Sequence, residues 1–200
     1  MASVMHLVRH GEVENPDQLV YADLKGFGLS RKGRLQAAWA GNHLADHPVR
    51  AVYTSPLDRA LETARSIAVP HGLRPLILAE LTEWTLLSRW AGRPWADLDA
   101  YYPGELDNYL SNPIQMDFAS ESLADLARRM ADVVNRLADR HPDQDLVVVS
   151  HQDPIQAAYL YLLGYFLGEL HTDKPDHGEV ISLVRKGTVW NLRARIAPPF

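Results

Sequence analysis

Cysteine is absent from the 200 residues, which excludes disulfide staples, thiol nucleophiles and cysteine-ligated zinc while leaving the compartment unfixed. Long apolar runs are missing too, and no stretch reaches the ~20 residues of a membrane span. There is no cationic excess: the formal charge is -5, so a broad nucleic-acid footprint is excluded and small-molecule chemistry fits better. The run from Met1 to Val8 carries no cationic start, signal core or small-residue cleavage site, and the reading is a soluble, cytoplasmic protein with neither membrane nor nucleic acid as partner. Repeats, low-complexity tracts and linkers are lacking as well. Residues 1–200 are therefore expected to form a single domain around one core.

What is present is an alternation of short β-rich runs with amphipathic helical patterns, which predicts a three-layer α/β/α sandwich with a mostly parallel central sheet. Strands are expected at Val4-Met5-His6-Leu7-Val8, Ala51-Val52-Tyr53-Thr54 and Leu146-Val147-Val148-Val149. The last is an unbroken apolar run of the kind that fills a parallel sheet centre. A closing hairpin is expected over 180–184 and 189–193, with Arg185-Lys186-Gly187-Thr188 between its strands. The spacing of Leu123, Leu126, Ala127, Met130, Val133, Val134 and Leu137 predicts a helix over 121–140. Further helices are expected over 31–47, 57–71 and 154–163, whereas 83–113, rich in Trp, Tyr, Pro and Gly, reads as a loop-and-helix insertion.

Three strand ends carry the candidate chemistry. Arg9-His10-Gly11 follows the first strand, where α/β sheets place ligand sites. Arginine offers a fork of donors to a phosphate, and glycine lets backbone approach closely. Ser55-Pro56-Leu57-Asp58-Arg59-Ala60 follows the second, with Ser55 as an expected N-cap and Pro56 at the first helical position. Arg59 then sits in a first helical turn, where the helix dipole disfavours a cation by roughly 0.3–1 kcal/mol unless an anion is beside it. A salt bridge to Asp58 or Glu62 is the competing reading. Ser150-His151-Gln152-Asp153-Pro154 repeats the pattern after the third strand, with Asp153 as the expected N-cap. Two histidines and two arginines at three strand exits can converge to hold phosphoryl oxygens while one imidazole attacks phosphorus.

Arg9-His10-Gly11, Ser55-Pro56-Leu57-Asp58-Arg59-Ala60 with Thr63-Ala64, and Ser150-His151 together resemble the histidine phosphatase (phosphoglycerate-mutase-like) superfamily. Leu29-Ser30 with Gly33 and Gln36-Ala37, and Ser120-Glu121-Ser122-Leu123, resemble further segments of that family. The resemblance spans nearly the whole chain. It implies a metal-independent phosphomonoesterase without cofactor, in which His10 becomes the phosphohistidine and Arg9, Arg59 and His151 bind the phosphoryl oxygens. A carboxylic acid protonates the leaving oxygen. Glu83, in Leu81-Thr82-Glu83 with Trp84 beside it to desolvate it, is the first choice and Glu80 the competitor. Asn15 is a further candidate phosphate donor. Gln152 and Leu87 stand where the family has glycines.

The insertion brings together Trp84, Trp90, Trp95, Tyr101 and Tyr102, either as an aromatic wall over the leaving group or as ordinary packing. Its only cations after Glu83 are Arg89 and Arg93, against Asp97, Asp99, Glu105 and Asp107, which favours hydrolysis over a phosphoglycerate-type phosphomutase. A non-catalytic phospho-ligand binder is the remaining alternative. His43 and His47, four apart on an expected helix, are set aside as a metal pair. The partner is expected to be a small phosphate ester, with monomer and homodimer both open.

Overall fold

The computed structural model describes residues 3–200; Met1 and Ala2, the opening of the run read above for a leader, lie outside the described residues. Strand β1 (Val4–Arg9) is followed by helix α1 (Arg31–Leu44), β2 (Val49–Thr54), α2 (Asp58–Ala68) and the two-residue β3 (Leu76–Ile77). After α3 (Leu98–Tyr101) and α4 (Glu105–Ser111) come α5 (Leu123–Arg140), β4 (Asp145–Ser150), α6 (Gln152–Leu163), β5 (Val180–Lys186) and β6 (Val189–Ile196). The sheet order is β3-β2-β4-β1-β5-β6. β3, β2, β4 and β1 run parallel, and the β5/β6 hairpin adds two antiparallel strands.

Strand alternation divides the core between two faces. Met5, Leu7, Ala51, Tyr53, Leu146 and Val148 pack against α5, α6 and the insertion. Val8, Val52, Val147 and Val149 pack against Ala40, Leu44, Ala60, Ala64 and Ile67 of α1 and α2. The sheet is thus covered on both faces, the layered α/β arrangement that the alternation predicts. β4 is fully buried along its length, because helices cover both of its sides.

Helix ends are where pattern and structure part. The N-caps of α1 and α5 are Ser30, accepting from Gly33 N, and Ser122, accepting from Asp125 N, each worth about 1 kcal/mol. α2 begins at Asp58 with Leu57 as cap, so Ser55 is not its N-cap. α6 begins at Gln152 with His151 as cap, so Asp153 lies inside the first turn and not before it. α1 stops at Leu44 instead of reaching His47, and α2 gives way at Val69 to a short 3-10 turn that contains Pro70, whose missing N–H cannot extend the α-helical ladder. The hairpin is longer than expected, its strands separated only by Gly187-Thr188, with Gly187 at φ 62, a left-handed turn conformation that glycine supplies without strain.

Candidate active site

β1, β2 and β4 all run parallel, so the segments following them meet at one end of the sheet. His10 leaves β1 with its backbone N–H donating to Ser150 O of β4 at 3.1 Å. Its imidazole is 1 % exposed, and the ring centroids of His151 and His177 lie 5.1 and 5.7 Å away. Nδ1 of His10 lies 2.7 Å from Gly11 O. A carbonyl can only accept, so Nδ1 carries the proton and Nε2 keeps its lone pair. Burial, and then the charges of Arg59, His151, Arg9 and His177, hold His10 well below the ordinary imidazole range, so the ring is neutral near pH 7.

Gly11 serves packing as much as access. A Cβ there would lie 2.3 Å from Gly33 O, and a Cβ on Gly33 would overlap Glu12 O. The turn after β1 therefore rests directly on the first turn of α1, and two glycines make that approach sterically feasible. Gly11 N also donates to Thr63 Oγ1 of α2 at 3.1 Å, so the segment carrying His10 is tied to both helices of that layer.

The cations around His10 have donors to spare. Arg59 is fully buried. Its Nη2 donates to Ala22 O at 2.6 Å, its guanidinium lies 4.5 Å over the Tyr21 ring, and Nε and Nη1 have no hydrogen-bond partner. Neither Asp58 nor Glu62 takes it up: Asp58 accepts from Gly26 N and Glu62 from Leu29 N. Arg9 donates from Nη1 to Pro175 O at 2.8 Å and from Nη2 to His177 Nε2 at 2.9 Å, with Nε unpartnered. Burial pulls both guanidinium pKa values down. Unpaired buried donors of this kind are costly in isolation and fit an oxyanion that completes them.

His151 completes the cluster from the start of α6. Its Nε2 lies 2.8 Å from Ser55 Oγ, and its buried Nδ1 has no hydrogen-bond partner and lies 4.0 Å from Glu83 Oε2. Ser55, read from sequence as a helix cap, instead orients this imidazole. Burial and the charges of Arg59 and Arg9 hold His151 well below its ordinary value.

Two carboxylates share the pocket. Glu83 is 8 % exposed, and its Oε1 accepts from Trp84 N at 2.9 Å. Desolvation, with the nearby charge of Asp153 adding to it, pushes its carboxyl up to about 8. Asp153 accepts from the Tyr109 hydroxyl at 2.7 Å. Glu80 has the opposite character: it is partly exposed and paired with Arg136 at 2.8 Å, and its carboxyl is held below the usual range.

Arg9, Glu83, Gln152 and Asp153 open onto a cavity of about 330 Å³, whose apolar walls include Val20, Leu87, Trp95, Leu106, Tyr109 and Leu110, with His171 and Lys174 at its polar side. Of the five insertion aromatics singled out from sequence, Trp84 and Trp90 are core residues at 0 % exposure, Tyr101 faces solvent at 53 %, and Tyr102 packs against the core; Trp95 alone lines the cavity. Arg89 is engaged by Glu105 at 2.9 Å and Arg93 covers the Tyr101 ring, so neither cation enters it. Asn15 is turned elsewhere: its Nδ2 donates to Leu19 O and its Oδ1 accepts from Leu19 N, and it borders a separate surface hollow. His177, Tyr21, Asp153 and Tyr109 were not selected as site residues from sequence. They lie on connecting turns, in a helix turn read only as a cap, or in the insertion, where periodicity carries no information.

A sequence profile described as "Histidine phosphatase superfamily (branch 1)" matches residues 5–196. The chain belongs to the histidine phosphatase superfamily. Among curated proteins, it is 37% identical over 167 residues to an uncharacterized protein of Mycobacterium tuberculosis, covering 80% of this chain and 78% of that one. It is 31% identical over 164 residues to phosphoserine phosphatase 1 of Hydrogenobacter thermophilus, covering 82% and 77% respectively. Among solved structures, the mycobacterial glucosyl-3-phosphoglycerate phosphatase superposes with a TM-score of 0.84 at 25% identity, covering 96% of this chain and 97% of that one. The histidine phosphatase fold therefore accounts for the layered architecture. The chain is a phosphatase of this superfamily, a phosphoric monoester hydrolase. No helix among the described residues is long and apolar enough to cross a membrane.

Proposed function

We propose that residues 1–200 act as one domain, a metal-independent phosphomonoesterase that hydrolyses a small phosphate ester through a phosphohistidine at Nε2 of His10. The observation that carries this reading is the tautomer set by the 2.7 Å contact of Nδ1 with Gly11 O, in a pocket where Nε and Nη1 of Arg59 and Nε of Arg9 lack partners. The lone pair of Nε2 attacks phosphorus while Arg9, Arg59 and His151 hold the non-bridging oxygens. The ester P–O bond breaks, and Glu83, neutral because its pKa is raised, delivers its proton to the leaving oxygen. The Glu83 carboxylate then takes a proton from a water that attacks the phosphohistidine. The P–N bond breaks, inorganic phosphate is released, and His10 and the Glu83 acid are restored. The cationic cluster supplies the charge neutralisation for which other phosphoryl-transfer enzymes use a metal.

Two further carboxyl and phenol groups in the cavity, Asp153 and Tyr109, and the diversion of Arg89 and Arg93 support hydrolysis over transfer, since a mutase must retain a phosphorylated product in a strongly cationic site. The matched proteins named for phosphoserine and glucosyl-3-phosphoglycerate hydrolysis support the class, a small phosphate ester, and the apolar walls support a leaving group with a carbon skeleton in contact with Trp95 and Leu106. The test is a panel of phosphomonoesters, with mutase activity on phosphoglycerate assayed in parallel, followed by an alkaline denaturing quench to trap the phosphoenzyme. An acid-labile, base-stable phosphoenzyme lost in His10→Ala is expected; turnover retained by His10→Ala overturns the reading, and an inactive wild type that still binds phosphate makes the chain a phospho-ligand binder.

A further inference from the structure

At the opposite end of the sheet, a second set of metal-ligating and titratable side chains converges, and the reaction proposed above does not use it. His6 lies in β1 on the same face as Val8, so it points toward the α1/α2 layer. β4 pairs with β1 in parallel register, Val4 opposite Asp145, and Asp145 therefore opens β4 beside His6. His47 comes from the turn between α1 and β2. Nε2 of His6 lies 3.7 Å and Nδ1 of His47 3.8 Å from Asp145 Oδ2, the rings of the two histidines are 4.9 Å apart in a T-shaped contact, and the three donor atoms lie within 4.8 Å of one another.

We propose that His6, His47 and Asp145 form a binding site for a borderline divalent transition-metal ion such as Zn²⁺ or Co²⁺. Two imidazole nitrogens and a carboxylate oxygen are the ligand set such ions take, and three protein ligands leave a fourth position for water. With bonds of about 2.0–2.1 Å, a tetrahedral ion needs ligand atoms about 3.4 Å apart, so the 3.7 and 3.8 Å separations require a contraction of a few tenths of an ångström, and the two imidazole nitrogens, within 4.8 Å of each other, close by up to ~1.4 Å through rotation of the partly exposed His47 side chain. Both are too long for hydrogen bonds. His6 is fully buried and its Nε2, aimed at this point, has no hydrogen-bond partner. Its Nδ1 sits 2.8 Å from Ser182 Oγ on the adjacent strand β5. The Ser182 hydroxyl can accept from Nδ1–H, which frees the Nε2 lone pair to ligate an ion, and a hydrogen bond to the outer nitrogen is what orients metal-bound imidazoles. Side-chain exposures of 29% at His47 and 12% at Asp145 give the ion a path from solvent.

Such an ion ties β1, β4 and the α1–β2 turn together about 13 Å down β1 from His10, at a strand rise of ~3.3 Å per residue, and acts on stability and not on turnover. The test uses the full chain, freed of metal by chelator and dialysis, titrated with Co²⁺ and separately with Zn²⁺. The wild type is expected to show the visible absorption of tetrahedral Co²⁺ and, at Zn²⁺ a hundredfold above its Kd, a Tm raised by roughly 5–10 °C. His47→Ala, which removes a partly exposed ligand without opening the core, should weaken binding tenfold or more and abolish the absorption, and Asp145→Asn should do likewise, while His10→Ala retains both. A wild type that binds neither ion, a His47→Ala protein that binds as the wild type does, or loss of binding in His10→Ala, which would put the ion in the catalytic pocket, each overturns the proposal. None of these outcomes depends on the phosphohistidine reading.

Discussion

The two ends of the parallel sheet carry buried histidines in different electrostatic settings, and β1 leads to both. At the carboxyl end, His10 and His151 stand among Arg9 and Arg59, whose spare N–H groups have no acceptor. At the amino end, His6 and His47 stand around Asp145, and the unpartnered atom is the His6 Nε2. The difference teaches that a buried imidazole is defined by its neighbours' leftover capacity: spare guanidinium donors call for an anion, whereas an unpartnered ring nitrogen beside a carboxylate offers ligands to a cation. Neither end could be left so under-satisfied without cost, since a buried polar group lacking a partner costs about 1–3 kcal/mol.

The largest effect that would break this contrast is at His10. His10→Ala should lower kcat by about 10⁴-fold or more and eliminate the base-stable phosphoenzyme, with circular dichroism unchanged; a modest loss would mean that attack occurs elsewhere. Arg59→Ala should cost about 10²–10³-fold in kcat/KM and remove the Tm increase that vanadate confers, whereas His47→Ala should leave both unaltered. If the two ends are independent, the double variant is additive.

Glu83 sharpens the carboxyl end further. With its carboxyl raised to about 8, kcat/KM should fall as pH rises through that value, because the leaving oxygen then lacks its acid. His10, held well below the ordinary imidazole range, places any acid limb well below pH 6.5. Glu83→Gln should flatten the alkaline limb and slow esters of poor leaving groups by about 10²–10⁴-fold, sparing good ones. The stability sign is the reverse of the usual carboxylate case. A raised folded-state pKa means the native protein binds the extra proton, so stability is lost as pH climbs from the ordinary glutamate value toward about 8. Thermal melts should show Glu83→Gln gaining over wild type at pH 9 and matching it at pH 5. The smallest effect is expected from Tyr109→Phe, which removes the 2.7 Å bond to Asp153 and should cost on the order of 1 kcal/mol in stability, with KM moving more than kcat.

Much of the carboxyl end was legible because its residues sit beside periodic elements: His10, Arg59 and His151 each follow an apolar strand whose run announces where it ends. The β5/β6 hairpin and the stripe of α5 were legible for the same reason. β3 was not, since two exposed residues carry no alternation. His177 lies on a turn before β5, and only folding brings it to Arg9. The aromatic insertion stayed open between wall and packing because burial, not composition, decides whether a tryptophan lines a cavity or fills a core: Trp84 and Trp90 donate their indole N–H groups to Glu121 O and to Glu105 and disappear inward. The amino-end cluster is spread from residue 6 to residue 145 and depends on β4 lying next to β1. In sequence, His47 pairs more naturally with His43, whose ring is instead stacked on Trp39.

The Tyr109 hydroxyl joins the end of the insertion to the first turn of α6 through Asp153, one residue from the His151–Gln152 junction. Transplanting residues 83–113 into a related scaffold, as a way to exchange substrate preference, would therefore move a wall without its anchor unless an acceptor equivalent to Asp153 already waits in the recipient. The unit to exchange is a loop together with its latch.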